Sequence, residues 1–326
     1  MCTIDEKGAP MKKLIEAVAV LCMLGLAILL CACGASVYMS YGDGDYEILE
    51  GKATSLENID EIEIHWARGD INIVANDGDE LVISEVAARK NAPSEDELAR
   101  YRISDGKLTI QFCAPKVMVS HVEKELTISL PKSLAEALSK LSVESATGAV
   151  NIASVTADAI DIDAASASVS MQSVSACDID LDLASTSLNF EGVTASRRIK
   201  IDCASANLRM TDTTTSLLSL KAASCDIDYE GGLSSIELDA TSINAQFSLP
   251  DGALSELDGD FTNGNVTLYL PETFDGFEAD LSGLSTSFSS EFATEKQDGE
   301  YVYGNGRAEI SVDGVSGKVD IRKIQK

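Results

Sequence analysis

The chain has 326 residues, with 25 Lys plus Arg against 53 Asp plus Glu and a formal net charge of −28. Such an acidic body repels phosphate backbones and has few cations to displace their counterions, which argues against nucleic-acid binding. At 45% hydrophobic residues it is too apolar for a disordered acidic tail, and its two histidines, His65 and His121, leave little for His-based catalysis or metal ligation.

Lys12 and Lys13 precede an apolar run that starts at Leu14, and Glu16 is the only charge before Asp43. Positive residues, an apolar core and then small residues form the layout of a secretory signal. The run ends Leu30-Cys31-Ala32-Cys33-Gly34, which resembles the bacterial lipobox. That resemblance implies lipid attachment at Cys33, the first residue of the mature chain. Met11 is an alternative start to Met1. An uncleaved anchor fits the same residues, since roughly 20 apolar residues span a bilayer. Both readings put the acidic body on the extracytoplasmic face of the cell membrane, lipid-anchored or held by one N-terminal segment. Residues 1–33 are then signal or anchor, and 34–54 a linker.

Residues 55–140 are expected to form an irregular N-terminal β cap. Ile62, Ile64, Ile71 and Ile73 fit the template of the repeat that follows from Leu141, with His65 in its acid position. The pattern lapses between Ser84 and Lys107. Ser94-Glu95-Asp96-Glu97 has the spacing of a helix capping box, and Ser133–Glu136 is a second candidate, predicting a short helix to about Lys140. Strand signals return at 108–112 and 126–130. A cap is needed because an open stack end is an aggregating edge.

From Leu141 onward one pattern returns. Apolar-x-apolar units begin at Leu141, Ile160, Ile179, Ile199, Leu218 and Ile236. A hydroxyl column follows at Thr147, Ser166, Ser185, Ser205, Ser224 and Ser242. Each unit closes on an apolar residue: Ile152, Met171, Phe190, Met210, Tyr229 and Phe247, spaced 19, 19, 20, 19 and 18 apart. A unit with two short alternating segments cannot bury its own apolar face, but stacked copies can. The expected fold for 141–326 is all-β: a parallel β-solenoid of two-strand coils of about 19 residues, with right-handed winding favoured for connected parallel strands. Further coils are expected at Leu257–Leu268 and Phe277–Phe288, and a terminal one at Ile310–Ile321, with a hairpin excursion near 291–307.

This pattern resembles the DUF4097 family, described as proposed adhesins of bacterial surfaces. The likeness rests on Ile62-Glu-Ile-His-Trp-Ala-Arg-Gly-Asp-Ile-Asn-Ile73, on the turns Thr147-Gly148, Asn263-Gly264 and Ser316-Gly317, and on Tyr301-Val-Tyr-Gly-Asn-Gly306. It covers roughly 55–326. The middle coils depart from it, with Ala, Thr, Cys or Ile where the family often has Gly. The resemblance implies a surface-exposed β-solenoid without a catalytic signature.

An acidic column, Glu144, Asp163, Asp182, Asp202, Asp239, Asp280 and Asp313, invites a cation, but Lys221 interrupts it. Solvated Asp at strand ends, bonded to turn amides, is the plainer reading. The serines lack the neighbouring base that a nucleophile needs. His65-Trp66 could stack on a sugar or pack against the cap. Tyr301 and Tyr303 could form a contact surface or a core strand. Cys113, Cys177, Cys203 and Cys225 show no CxxC spacing and are expected to be free, buried thiols. No catalytic, metal or cofactor residues are assigned. The sequence thus points to an exported, membrane-anchored, non-enzymatic surface protein: an adhesin, or a structural or sensory envelope module, with a glycan or envelope protein as partner. The alternative is a polysaccharide-active β-helix enzyme using the basic cluster Arg197, Arg198 and Lys200.

Overall fold

The computed structural model describes residues 37–38, 45–49, 53–54, 59–87, 93–115, 117–119 and 122–325. Cys33, the signal residues and His121 lie outside them. In chain order the strands are β1 Val37–Tyr38, β2 Glu47–Ile48, β3 Ala53–Thr54, β4 Glu61–Trp66, β5 Ile71–Asn76, β6 Leu81–Ala87, β7 Arg100–Ser104, β8 Lys107–Gln111, β9 Met118–Val119 and β10 Lys124–Pro131. They continue with β11 Leu138–Ala153, β12 Thr156–Gln172, β13 Ser175–Glu191, β14 Thr194–Ser248, β15 Glu256–Leu270, β16 Gly276–Ser290, β17 Glu295–Gln297, β18 Glu300–Gly304 and β19 Ala308–Lys323. The fold is all-β, and its main sheet is open rather than closed. Among the described residues no helix is long and apolar enough to cross a membrane.

Alternation decides which residues point inward. Leu141 faces Ile160, which faces Ile179, which faces Ile199, all in parallel register and all fully buried. Ile152, Met171, Phe190 and Met210 form a second buried ladder in the same way. Each such side chain contributes about 1.5–3 kcal/mol by leaving water. From β11 to β13 main-chain pairing resumes on both sides of the bend, so each of these strands turns a corner without ending. The pleat carries Asp163 and Asp182 outward in mid-strand, not at strand ends as expected.

Two kinds of corner recur. Gly148 has φ +123°, and a Cβ there would lie 2.3 Å from the Gly69 carbonyl oxygen, so the first corner stacks backbone on backbone. The tier above puts Ala167 at that place, without a positive φ. At the second corner Ser154, Ser173, Gly192 and Asp212 stack in the left-handed region, with φ of 57°, 52°, 63° and 49°. Their geometry is held by tier-to-tier bonds, such as Ser173 N donating to Glu191 O at 2.9 Å.

The expected irregular cap is more regular than 84–140 suggests, and the repeat template seen at Ile62–Ile73 is a tier of the stack. β4 and β5 form one tier under β11, with Ile62 facing Leu141 and Ile71 facing Val150. β8 and β10 form another beneath it, with Leu108 facing Ile62 and Leu126 facing Ile71. β6 and β7 run against the grain, antiparallel to β10 and β8. The insertion between the halves of the lower tier hides its repeat in the sequence. Of the two short helices, Glu95–Glu97 is a single 3-10 turn, with the Glu97 carboxylate accepting from Ser94 N and Oγ at 2.8 Å. Lys132–Ala135 is four residues long, and the strand resumes at Leu138.

The order of tiers at the far end also differs from expectation. β19 is not terminal. It lies between β15 and β16, with Ile310 facing Leu257 on one side and Ala279 on the other. β16 is the last tier, and the hairpin of β17 and β18 turns at Asp298-Gly299 and covers Gly276–Ala279. The register moves Phe288 opposite Val319 and puts Ser290, not Phe288, opposite Ile321.

Candidate functional site

The outward residues at the first corner are small, so the bend leaves an open trough of about 600 Å³. Ser166, Ser168, Ser185, Ser187, Ser205 and Asn207 line it, with Gly148 and Asp226 towards its ends. These serines and Asn207 are exposed, and they repeat from tier to tier because the tiers are in register. The repeated hydroxyl column of the sequence is therefore a surface feature running along the stack. The Thr186 hydroxyl is used internally and donates to Ala167 O.

Three residues upstream of the serines runs the carboxylate column. By register it contains His65, Glu144, Asp163, Asp182 and Asp202 in consecutive tiers, and later Asp239, Asp260 and Asp313. Asp280 is not a member. It faces Ser311, and Ser282 takes the place opposite Asp313. The sequence reading missed Asp260, which faces Asp239. Burial, and then the neighbouring carboxylates, raise Asp163, Asp182 and Asp260 above the usual Asp range. Among the described residues no three His, Cys, Asp or Glu side chains gather in a metal-holding group.

His65 Nδ1 lies 2.7 Å from Glu144 Oε2. That bond raises the imidazole pKa and lowers the Glu144 pKa. In register His65 is two tiers away from Ser166, so the imidazole is bonded to a carboxylate rather than placed against a trough hydroxyl. The basic cluster is also engaged. Arg197 forks onto the nearly buried Asp178, Arg198 Nη2 donates to Asp180 Oδ2 at 2.8 Å, and Lys200 Nζ donates to Asp202 Oδ2 at 2.7 Å. Arg197 and Arg198 spend their charge on the neighbouring tier, and Lys200 spends its charge within its own.

Trp66 is 2% exposed and meets Phe112 edge to face at 5.0 Å, so it packs within the cap and offers no sugar platform. Tyr301 and Tyr303 are half-buried against Phe288, Phe277 and Phe292. Of the thiols, Cys113, Cys203 and Cys225 are buried and Cys177 is exposed, and all four are free.

Sequence periodicity gave no sign of Lys124. Its side chain is fully buried, 2.8 Å from Glu85 Oε2, and donates to Glu97 O and Phe112 O. Its ammonium lies 4.1 Å from the Phe112 ring centre and 5.1 Å from that of Trp66. Burial lowers its pKa. This is the anchor of the cap, where the two lowest tiers meet.

These features define a stacked all-β protein with an open, polar, tier-repeated surface and an acidic flank. The chain matches the Toastrack DUF4097 family over residues 59–322 and belongs to it. No curated protein matches the chain. Similar solved structures include a "putative adhesin" from Parabacteroides distasonis ATCC 8503, at 16% identity over 88% of this chain and 100% of that one, with a TM-score of 0.45. A "putative adhesin" from Bacteroides fragilis NCTC 9343 is 12% identical over 86% and 98%, with a TM-score of 0.31. A "putative cell adhesion protein" from Clostridium sporogenes ATCC 15579 is 11% identical over 86% and 100%, with a TM-score of 0.21.

Proposed function

We propose that the chain is an exported, membrane-anchored, non-enzymatic surface module, adhesin-like, whose trough holds an extended neutral glycan. The observation that carries this reading is the row of exposed Ser and Asn side chains repeated on successive tiers. A ligand with its own repeat of hydroxyls can exchange hydrogen bonds with such a row, while an anionic glycan would be repelled by the −28 body. The finer architecture belongs to the same proposal: a right-handed solenoid of about 19-residue turns, which the parallel register supports. So does the anchor, with lipid on Cys33 or an uncleaved N-terminal segment.

The full chain is tested on an array of neutral and uronate-containing oligosaccharides, beside Ser185→Trp and Ser187→Trp, which fill the trough. Retention of neutral glycans, lost in both variants, supports the reading. No retention, equal binding by the variants, or release of cleaved sugar defeats it. For the anchor, Cys33→Ala should abolish lipid labelling, and persistent labelling would rule out that attachment site.

A further inference from the structure

The two ends of the stack are closed differently. At the lower end both halves of the last tier are covered, β8 by β7 and β10 by β6. At the upper end β18 covers only Gly276–Ala279 of β16. β19 takes the inner edge of β16 over Phe277–Ser290, and among the described residues no strand pairs with the outer edge of 280–290. Open edges usually carry Lys, Pro, a bulge or inward charge that keeps other strands away. Residues 281–290 read Leu-Ser-Gly-Leu-Ser-Thr-Ser-Phe-Ser-Ser and hold no charge, in a chain of −28. At the corner of this edge Leu284 is 89% exposed, and Val315, at the same place on the neighbouring tier, is 51% exposed.

We propose that this edge is a self-association surface, on which a second copy of the chain adds its own 285–290 strand antiparallel about a two-fold axis. The two stacks would join end to end. An antiparallel pair of identical segments is self-complementary under a two-fold, each backbone donor finding the other copy's acceptor. Charge favours a copy at this place above any other. Two bodies of −28 repel wherever acidic faces approach, and the uncharged stretch 281–290, between Asp280 and Glu291, is where approach costs least. End-to-end joining also keeps the remaining charges of the two stacks far apart. A charged peptide from another protein would find nothing on this edge to read.

The charge argument fixes the salt dependence. The interface holds no ion pairs, while the bodies repel over a Debye length of about 30 Å at 0.01 M salt and about 3 Å at 1 M. Added salt therefore strengthens the dimer, opposite to an interface held by ion pairs. The test is sedimentation velocity of the full chain in mild detergent, at about 0.02 M and about 0.5 M salt. The expected result is monomer at low salt shifting to dimer at high salt. Leu284→Glu with Ser285→Glu brings carboxylates into the uncharged edge and should weaken association about tenfold or more. Both positions are exposed, so an unchanged thermal midpoint verifies folding. A monomer at every salt concentration, a dimer that weakens with salt, or a dimer unchanged by the double variant overturns the proposal. So does binding of an unrelated extended peptide by a chain that stays monomeric.

Discussion

Replacing Asp182 by Asn should stabilise the protein. Asp182 lies between Asp163 and Asp202 in register, one tier from each. At an interstrand spacing of about 4.8 Å, a pair of unit charges in water costs about 0.9 kcal/mol before screening. Physiological salt roughly halves that, so two neighbours sum to about 1 kcal/mol. The carboxylate is more than half exposed, side chains can splay, and Lys200 beside Asp202 offsets part of the repulsion, so the discounted gain is about 0.5 kcal/mol at pH 7. In a domain of this size the midpoint should rise by about 1–2 °C. The pH dependence is the sharper signature. The folded-state pKa of Asp182 is raised above 3.8, so the wild-type penalty is complete above that folded value and absent below 3.8. Urea unfolding of both proteins from pH 7 to about pH 3.5 should show their curves converging on acidification. A variant that is neutral or destabilised at pH 7, or a difference unchanged by acid, would refute the reasoning. Either result would mean that Asp182 has a favourable partner that outweighs its neighbours.

The His65–Glu144 pair has its own window. The raised imidazole pKa gives stability that is complete below about 6.5 and lost as pH rises through the folded value. The lowered Glu144 pKa gives stability that is lost as pH falls through its folded value, so His65→Gln should remove a maximum lying between the two, seen in midpoints against pH. Lys124→Met should cost about 3–5 kcal/mol in denaturant unfolding, because it leaves Glu85 buried without its cation, and Glu85→Gln in the same chain should restore part of the loss. A loss under about 1 kcal/mol would remove Lys124 from the role of cap anchor. Gly148→Ala should cost about 2 kcal/mol or more through backbone strain and the contact with Gly69 O, whereas Gly192→Ala, which meets nothing closer than 3.9 Å, should cost about 1 kcal/mol. Equal losses from the two glycine variants would contradict this assignment of the corners.

The sequence by itself determined the tier. Alternation chose the inward faces of Ile160 and Ile162, small residues marked the bend at 165–168, and the recurrence of both required a stack, since one unit buries nothing alone. The Ser column was equally legible, because register turns a sequence repeat into a spatial row. What only the tertiary structure decided was the order of the tiers and the placing of charge among them. The pattern of 308–323 suits either neighbour, and only the length of the 291–307 excursion lets that strand return between β15 and β16. That return leaves 281–290 as the free edge, and within β16 the corner at Gly283 puts Ser282, not Asp280, in the acidic column. Lys124 likewise carries no local mark, because a buried ammonium depends on Glu85, Glu97 and Phe112, which are distant in the chain and meet only when the cap closes. Local periodicity encodes which side of a strand is dry. Long-range closure decides which strands become neighbours, and with them which charges are paired and which edge stays open.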